Sequence, residues 1–333
     1  MKRCKVAVLG DGGWGTTLAL ILSQNRHAVT IWGAFEDYVA QLNTTRRNSK
    51  FLPGIPIPKA IKITHYIGEA VSDADVVVLA APSEHAREVL RTVARVKPLR
   101  RGVTFLSATK GIETASLMRM SQIIREELGP VKAAVLSGPT IAREVATGIP
   151  TVAVIASRNH TVRRQLQSLL MTPKFRLYTN KDVTGVELGG SLKNIIAIAC
   201  GISDGLGFGT NTKAAILSRG LVEISRMGAA MGADKRTFSG ISGLGDLVTT
   251  CVSRWSRNRN VGEKIGRGVR LKQLISQMDM VAEGVPTTKS AYALGKKYRV
   301  DLPIIREVYR VLYKGKSPHR ALNDLMTRSR KEE

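Results

Sequence analysis

The chain has 333 residues, 43% of them hydrophobic, and carries 51 Lys and Arg against 26 Asp and Glu, a net charge of +25. That length allows two domains and a large buried core; the charge is spread evenly, +13 over residues 1–183 and +12 over 184–333, which argues against a nucleic-acid arm or patch and for a solvated basic surface that helps to steer an anionic substrate. Three cysteines, Cys4, Cys200 and Cys251, form no CxxC pair and no zinc-ligand spacing, so reduced thiols in a cytoplasmic protein without a metal site are expected.

The opening MKRCKVAVLG sets basic residues before an apolar run. The run is too short for a signal-peptide core and leads straight into a glycine loop. Residues 6–9 predict a strand, GDGGWGTTLA follows at 10–19, and a helix is expected from near Thr16. The spacing Gly10, Gly12, Gly15 fits the dinucleotide fingerprint: the first glycine makes the turn, the second lets backbone approach the pyrophosphate, and the third packs helix on strand. A tight strand-to-helix turn is the plain alternative. The flanking elements favour the cofactor, because the free N–H groups and dipole at a helix N-terminus suit a phosphate.

The next strand, 28–32, ends in Thr30, Ile31 and Trp32, followed by Gly33 and Ala34. An acid normally stands at this tip to take the ribose hydroxyls of NAD, and none does; Glu36 and Asp37 come later and suit the start of a helix. Use of both NAD and NADP is therefore expected, with a slight lean to NADPH. Further β-branched runs at 61–64, 76–80, 104–107, 133–136 and 152–155 read as strands buried on both faces of a parallel sheet covered by helices. Several end in turn-forming residues, AAPSE at 80–84, SATKG at 107–111 and SGPT at 137–140, at the strand ends where ligands of open α/β sheets collect. After Tyr178 the pattern becomes helical, with segments at 183–203, 214–231, 304–313 and 320–326. The fold expected is α/β: an N-terminal Rossmann-like doubly wound sheet over residues 1–183 and a C-terminal all-α domain over 184–333. The longest apolar stretch, 195–200, is too short to span a bilayer.

Chemistry is carried by three strings. Lys193 lies in GVELGGSLKNIIAIACGISDG among apolar residues and glycines. Glycines on a helix suggest a close approach to its backbone, and a partly desolvated lysine suits proton transfer; a lysine that snorkels to the surface stands equally open. In SGLGDLVTTCVSRWSRNRNVG, Asp246 sits in a glycine-flanked turn and Ser256, Arg257 and Asn258 are consecutive. The arginine fork matches a phosphate, and a solvated basic loop is the alternative. Lys110 follows a predicted strand in SATKGIE. The five histidines are scattered, and no GxSxG elbow or Cys/His pair supports a hydrolase.

Together these strings, with NxxFLPGIPIP at 48–58, APSEHAR at 81–87, SGPTIAREVATGIPT at 137–151, NTKAAILSRG at 211–220 and VAEGVPTTKS at 281–290, resemble the bacterial NAD(P)-dependent glycerol-3-phosphate dehydrogenases over nearly the whole chain. The resemblance implies interconversion of sn-glycerol 3-phosphate and dihydroxyacetone phosphate for phospholipid synthesis, with Lys193 as proton donor and acceptor. It implies that Lys110, Gly138, Thr140, Lys193, Asp246, Ser256, Arg257 and Asn258 line the substrate. It also implies that Gly10, Gly12, Gly13, Trp14, Gly15, Ala34, Lys110, Ala142, Arg257, Val281 and Glu283 lie at the cofactor. Ala34 departs from the polar or basic side chain often found there in the family. A related hydroxyacid dehydrogenase and a non-catalytic NAD(P) sensor are the competing readings. The expected partner is a small phosphorylated substrate, with a homodimer as an open alternative to a monomer.

Overall fold

The computed structural model describes residues 3–96, 99–276, 278, 281–330 and 332. The chain separates into two compact units, Met1–Lys110 with Met118–Glu187, and Gly111–Leu117 with Leu188–Glu333. The division falls inside one helix, Val183–Gly205, between Glu187 and Leu188, and a short strap from the middle of the chain joins the second unit.

In the first unit, strands β1 (Lys5–Leu9), β2 (Ala28–Trp32), β3 (Lys62–Thr64), β4 (Val76–Leu79), β5 (Thr104–Ser107), β6 (Lys132–Ser137), β7 (Thr151–Ala156) and β8 (Phe175–Asn180) form one sheet ordered β3-β2-β1-β4-β5-β6-β7-β8. Alternate residues feed two cores on opposite faces. Val6, Val8, Val76, Val78 and Leu106 enter one, and Ala7, Leu9, Val77, Leu79 and Phe105 the other, as continuous apolar runs require when both faces are covered. Two features differ from expectation. The sheet is mixed, because β7 runs antiparallel to β6; the connection between them holds only the short helix Ala142–Ala146, and an antiparallel return needs no full crossover. The strand β8 escapes a search for continuous apolar runs because its burial alternates, with Phe175 and Leu177 buried and Arg176 and Tyr178 exposed, the pattern of a strand with one covered face.

The second unit is helical among its described residues. Helix Val183–Gly205 has an 18-residue window of mean hydropathy 1.3, apolar enough on length and composition to cross a membrane, yet that window is entirely buried within the protein. Its small residues allow close helix crossing. A Cβ on Gly201 would lie 2.0 Å from the carbonyl oxygen of Arg259, and one on Gly262 would lie 2.1 Å from that of Ile198. The close approach expected at the glycines of the Lys193 string is thus made at Gly201 by the neighbouring helix Arg257–Gly266 and at Gly189 by the carbonyl oxygen of Ser242, 2.6 Å from where a Cβ would lie. The strap 111–117 is anchored by Ile112, 1% exposed in the second core, whose carbonyl accepts a 3.0 Å bond from Ser290 Oγ.

Glu223, 2% exposed, accepts from the N–H groups of Ile304 (2.6 Å) and Ile305 (3.1 Å) at the start of helix Pro303–Lys314. Burial raises its pKa from 4.5 to about 7, opposed by the two N–H groups, with Asp301 adding to the rise and Arg226 countering it. A carboxyl whose folded pKa exceeds its unfolded value binds its proton more tightly when folded. Its contribution is therefore full below about 4.5 and lost as the pH rises through about 7. Denaturant unfolding from pH 4.5 to 8 should show Glu223→Gln gaining on the wild type with rising pH, by at most roughly 3 kcal/mol. Parallel stability curves would remove Glu223 as the cause.

Candidate functional site

The glycine loop joins β1 to helix Gly13–Gln24, and its glycines have separate reasons. Gly10 has φ of +127°, and a Cβ there would stand 2.8 Å from the carbonyl carbon of Ala80. A Cβ on Gly15 would collide with the carbonyl oxygen of Gly10 at 1.9 Å. At Gly12 a Cβ would meet no protein atom within 4 Å, so nothing in the fold asks for glycine at that point. The loop is braced by the buried Asn48, whose Nδ2 donates to the carbonyl of Asp11 and to Thr16 Oγ1, both at 2.7 Å, while its Oδ1 accepts from Tyr38. Sequence reasoning quoted Asn48 only within a longer string.

The other first-unit residues expected at the cofactor divide. Gly13 lies close to Ala142, with 3.9 Å between their β-carbon positions, and the Ala142 carbonyl accepts from Thr17 Oγ1. Ala34 is exposed just past the tip of β2. Trp14 turns toward the core, edge-on to Phe175 at 6.5 Å, with its indole N–H buried and unpartnered among the described residues. Lys110 Nζ donates to the Gly138 carbonyl (2.7 Å) and Thr140 Oγ1 (3.1 Å), bringing three expected substrate residues together. Gly138 is required by its φ of +141°, and a Cβ there would meet Ala153 Cα at 2.9 Å.

In the second unit Lys193 does not snorkel. It is 5% exposed and Asp246 1% exposed, and Lys193 Nζ donates at 2.5 Å both to Asp246 Oδ1 and to Thr250 Oγ1. The π-helical turn Ile241–Gly245 hands over to helix Asp246–Val252, and the four-residue spacing sets Thr250 on the same face as Asp246. Sequence reasoning missed Thr250, although that spacing could have found it. It also missed Asn194, next along the helix from Lys193, whose Oδ1 accepts from Asn258 Nδ2 at 2.9 Å. Asn258 Oδ1 in turn accepts from Gly284 N at 2.9 Å, so its amide braces three helices.

Ser256 caps helix Arg257–Gly266, its Oγ accepting from Arg259 N at 3.2 Å. Arg257 begins that helix, reached by solvent and lining a hollow of about 180 Å³ with Asn260, Val261, Lys264, Leu274 and Met278. Protein packed around the guanidinium lowers its pKa and Glu283 opposes this; because water reaches the side chain, it stays cationic. Val281 and Glu283 precede helix Gly284–Lys297 and lie, like Arg257, in the second unit rather than with the glycine loop. The arrangement therefore offers a glycine-lined backbone cradle in one unit, and in the other a buried lysine held by a carboxylate and a hydroxyl, with a cationic helix start.

Comparison with known proteins gives two family matches, NAD-dependent glycerol-3-phosphate dehydrogenase N-terminus over residues 5–163 and C-terminus over residues 182–323. A curated relative from Geobacter metallireducens named glycerol-3-phosphate dehydrogenase [NAD(P)+] is 48% identical over 332 residues, covering 99% of this chain and 98% of its own. The crystal structure of glycerol-3-phosphate dehydrogenase from Coxiella burnetii aligns with a TM-score of 0.94 at 35% identity, covering 98% of this chain and 99% of that one. Likeness to a D-mandelate dehydrogenase, 13% identical with a TM-score of 0.62 over 97% of this chain and 99% of that one, extends to the fold alone.

Proposed function

The chain belongs to the NAD-dependent glycerol-3-phosphate dehydrogenase family, and from that premise we propose how its residues divide the work of an NAD(P)-dependent oxidoreductase acting on glycerol 3-phosphate. Residues 1–183 bind the dinucleotide and 184–333 the substrate. The fit of the cofactor rests on Gly12, where the protein leaves open the space that a β-carbon would fill, beside the N-terminus of helix Gly13–Gln24, which suits a pyrophosphate. Gly10, Gly13, Gly15, Ala34, Lys110 and Ala142 from the first unit, and Arg257, Val281 and Glu283 from the second, complete the cofactor contacts, with Trp14 acting through packing.

The observation that carries the chemistry is the buried pair of Lys193 and Asp246 joined by Thr250. When bound, NAD(P) exchanges a hydride with C2 of the substrate. Lys193 Nζ gives a proton to the oxygen on C2 in reduction and takes it back in oxidation, a role worth about 10²–10⁴ in rate. Asp246 and Thr250 fix that nitrogen, and Asn258 braces the neighbouring Asn194. Arg257 and the capped helix start beside Ser256 hold the phosphate, whose binding positions C2, while Lys110, Gly138 and Thr140 contribute from the first unit. The test is to follow NADH and NADPH oxidation separately with dihydroxyacetone phosphate. Turnover with neither would reduce the chain to a nucleotide binder, and a preference for a 2-keto acid would favour the hydroxyacid reading.

Supply of glycerol 3-phosphate to phospholipid synthesis, residence in the cytoplasm and assembly as a homodimer complete the proposal. Cys4, Cys200 and Cys251, none of them in a disulfide, are in keeping with a reducing compartment. The exposed Leu244, Val248 and Val252 recur at four-residue spacing through the π-helical turn and helix Asp246–Val252, with Trp255 exposed in the turn beyond, and offer apolar surface to a second copy; sedimentation velocity measures the assembly.

Gly12→Val separates ligand effects from folding effects. A Cβ at this position meets no protein atom within 4 Å, so the thermal midpoint should hold, while NADH and NADPH affinities fall at least about tenfold, or 1.4 kcal/mol. Unchanged affinity in a fluorescence titration would make the loop a structural turn only.

A further inference from the structure

The acid absent from the tip of β2 has a counterpart in the glycine loop. Leu9 pairs with Trp32 across β1 and β2, and Gly10 N donates to the Trp32 carbonyl at 2.9 Å, so the two strands release their chains side by side. A Cβ on Gly33 would stand 2.4 Å from Asp11 Oδ2 and 2.9 Å from Asp11 Cγ. The Asp11 carboxylate therefore occupies the space beside the strand tip, and Gly33, having no side chain, leaves room for it.

The backbone of Asp11 is pinned, its carbonyl accepting from Asn48 Nδ2 at 2.7 Å and Thr16 Oγ1 at 3.3 Å. Its side chain is not satisfied in the same way. Asp11 Oδ2 is buried with no hydrogen-bond partner among the described residues, while the residue as a whole remains partly exposed. Burial raises the carboxyl pKa above its ordinary value, with its own backbone N–H in opposition. The Tyr38 hydroxyl feels the charge of Asp11 but donates to Asn48 Oδ1. A buried acceptor without a donor is costly, and a ligand that brings hydroxyl groups relieves the cost.

The charges that follow have the same sign. Glu36 and Asp37 open the helix after the tip, and His65 Nε2 lies 3.7 Å from Glu36 Oε1. The first arginine after β2, Arg46, spends its guanidinium on the carbonyls of Ile57, Pro58 and Ile61.

We propose that Asp11 takes over the role of the strand-tip acid: its carboxylate accepts hydrogen bonds from the 2′- and 3′-hydroxyls of the adenosine ribose and repels a 2′-phosphate, so that the chain prefers NAD(H) to NADP(H). An acid at this place is what selects the free ribose in dinucleotide-binding folds, and an arginine is what accommodates the phosphate. Reaching it from the loop requires a residue without a side chain at position 33, which Gly33 supplies. The preference expected from the bare tip of β2 is thereby reversed. The inference rests on dinucleotide binding at the glycine loop.

The experiment measures NADH and NADPH dissociation constants by fluorescence titration, and those of 5′-AMP and 2′,5′-ADP by displacement of NADH, for the full-length wild type, Asp11→Ala and Asp11→Asn. The wild type should bind NADH at least about tenfold more tightly than NADPH, and 5′-AMP more tightly than 2′,5′-ADP. Both substitutions should narrow each ratio at least about tenfold, by weakening the ribose ligands and strengthening the phosphorylated ones. The isosteric Asp11→Asn keeps the test open should Asp11→Ala fold poorly. Ratios unmoved by either substitution, or a wild type that prefers NADPH, would overturn the role of Asp11 while leaving dinucleotide binding intact. Failure of the wild type to bind either dinucleotide would overturn both.

Discussion

Lys193→Met should lower kcat at least about a hundredfold while NAD(P)H affinity stays near that of the wild type, because the substitution removes a positioned proton donor and leaves the glycine loop untouched. Burial adds a second consequence. Asp246 is 1% exposed, and taking away its cation strands a carboxylate in the core, which costs about 3–5 kcal/mol where one partner of a buried pair is removed. Lys193→Met should therefore also melt earlier. Combining it with Asp246→Asn removes the stranded charge, so the double variant should regain stability without regaining turnover. That split separates the two roles, since a merely structural lysine would recover both together. Wild-type kcat in the purified single variant across pH would assign proton transfer to another group.

Arg257→Leu should remove most of the advantage of dihydroxyacetone phosphate over unphosphorylated dihydroxyacetone. The guanidinium offers two parallel charge-assisted bonds to a phosphate, each worth about 1.5–3 kcal/mol, so the ratio of kcat/KM for the two ketones should fall at least about a hundredfold. Ser256 is already committed as the cap of the same helix, which leaves the helix start intact in the variant. Because remote binding energy positions the reacting carbon, kcat should fall along with affinity. NADH affinity measured in the same protein apportions any share of Arg257 in cofactor binding. A ratio unchanged by the substitution would show that this arginine does not read the phosphate.

Seven of the eight strands were legible as apolar or β-branched runs; in central strands such as β4 and β5, buried along their whole length, cover on both faces leaves little that is polar to interrupt the run. The exception, β8, hides because Arg176 and Tyr178 alternate with Phe175 and Leu177, and alternation over four residues is easily lost in a charged segment. The reversed direction of β7 was not legible at all. Strand direction depends on the path of the connection, and composition does not encode that path.

At the candidate site, the sequence determined by itself which residue types are present and how they are spaced along local elements: Gly10, Gly12 and Gly15 at one loop, Lys193 among glycines, and Asp246 followed at helical distance by Thr250. These signals are local, set by backbone sterics and the helical repeat. What only the tertiary structure decided is which distant residues share a buried environment. Lys193 read alone is equally a surface lysine. It becomes a buried, fixed ammonium because helix Asp246–Val252 brings a carboxylate 53 residues away to 2.5 Å from its nitrogen. The bare tip of β2 read alone lacks a carboxylate; the pairing of β1 with β2 brings Asp11 beside Gly33. In each case the deciding quantity is the electrostatic environment, which depends on distance and desolvation in space and is therefore invisible along the chain.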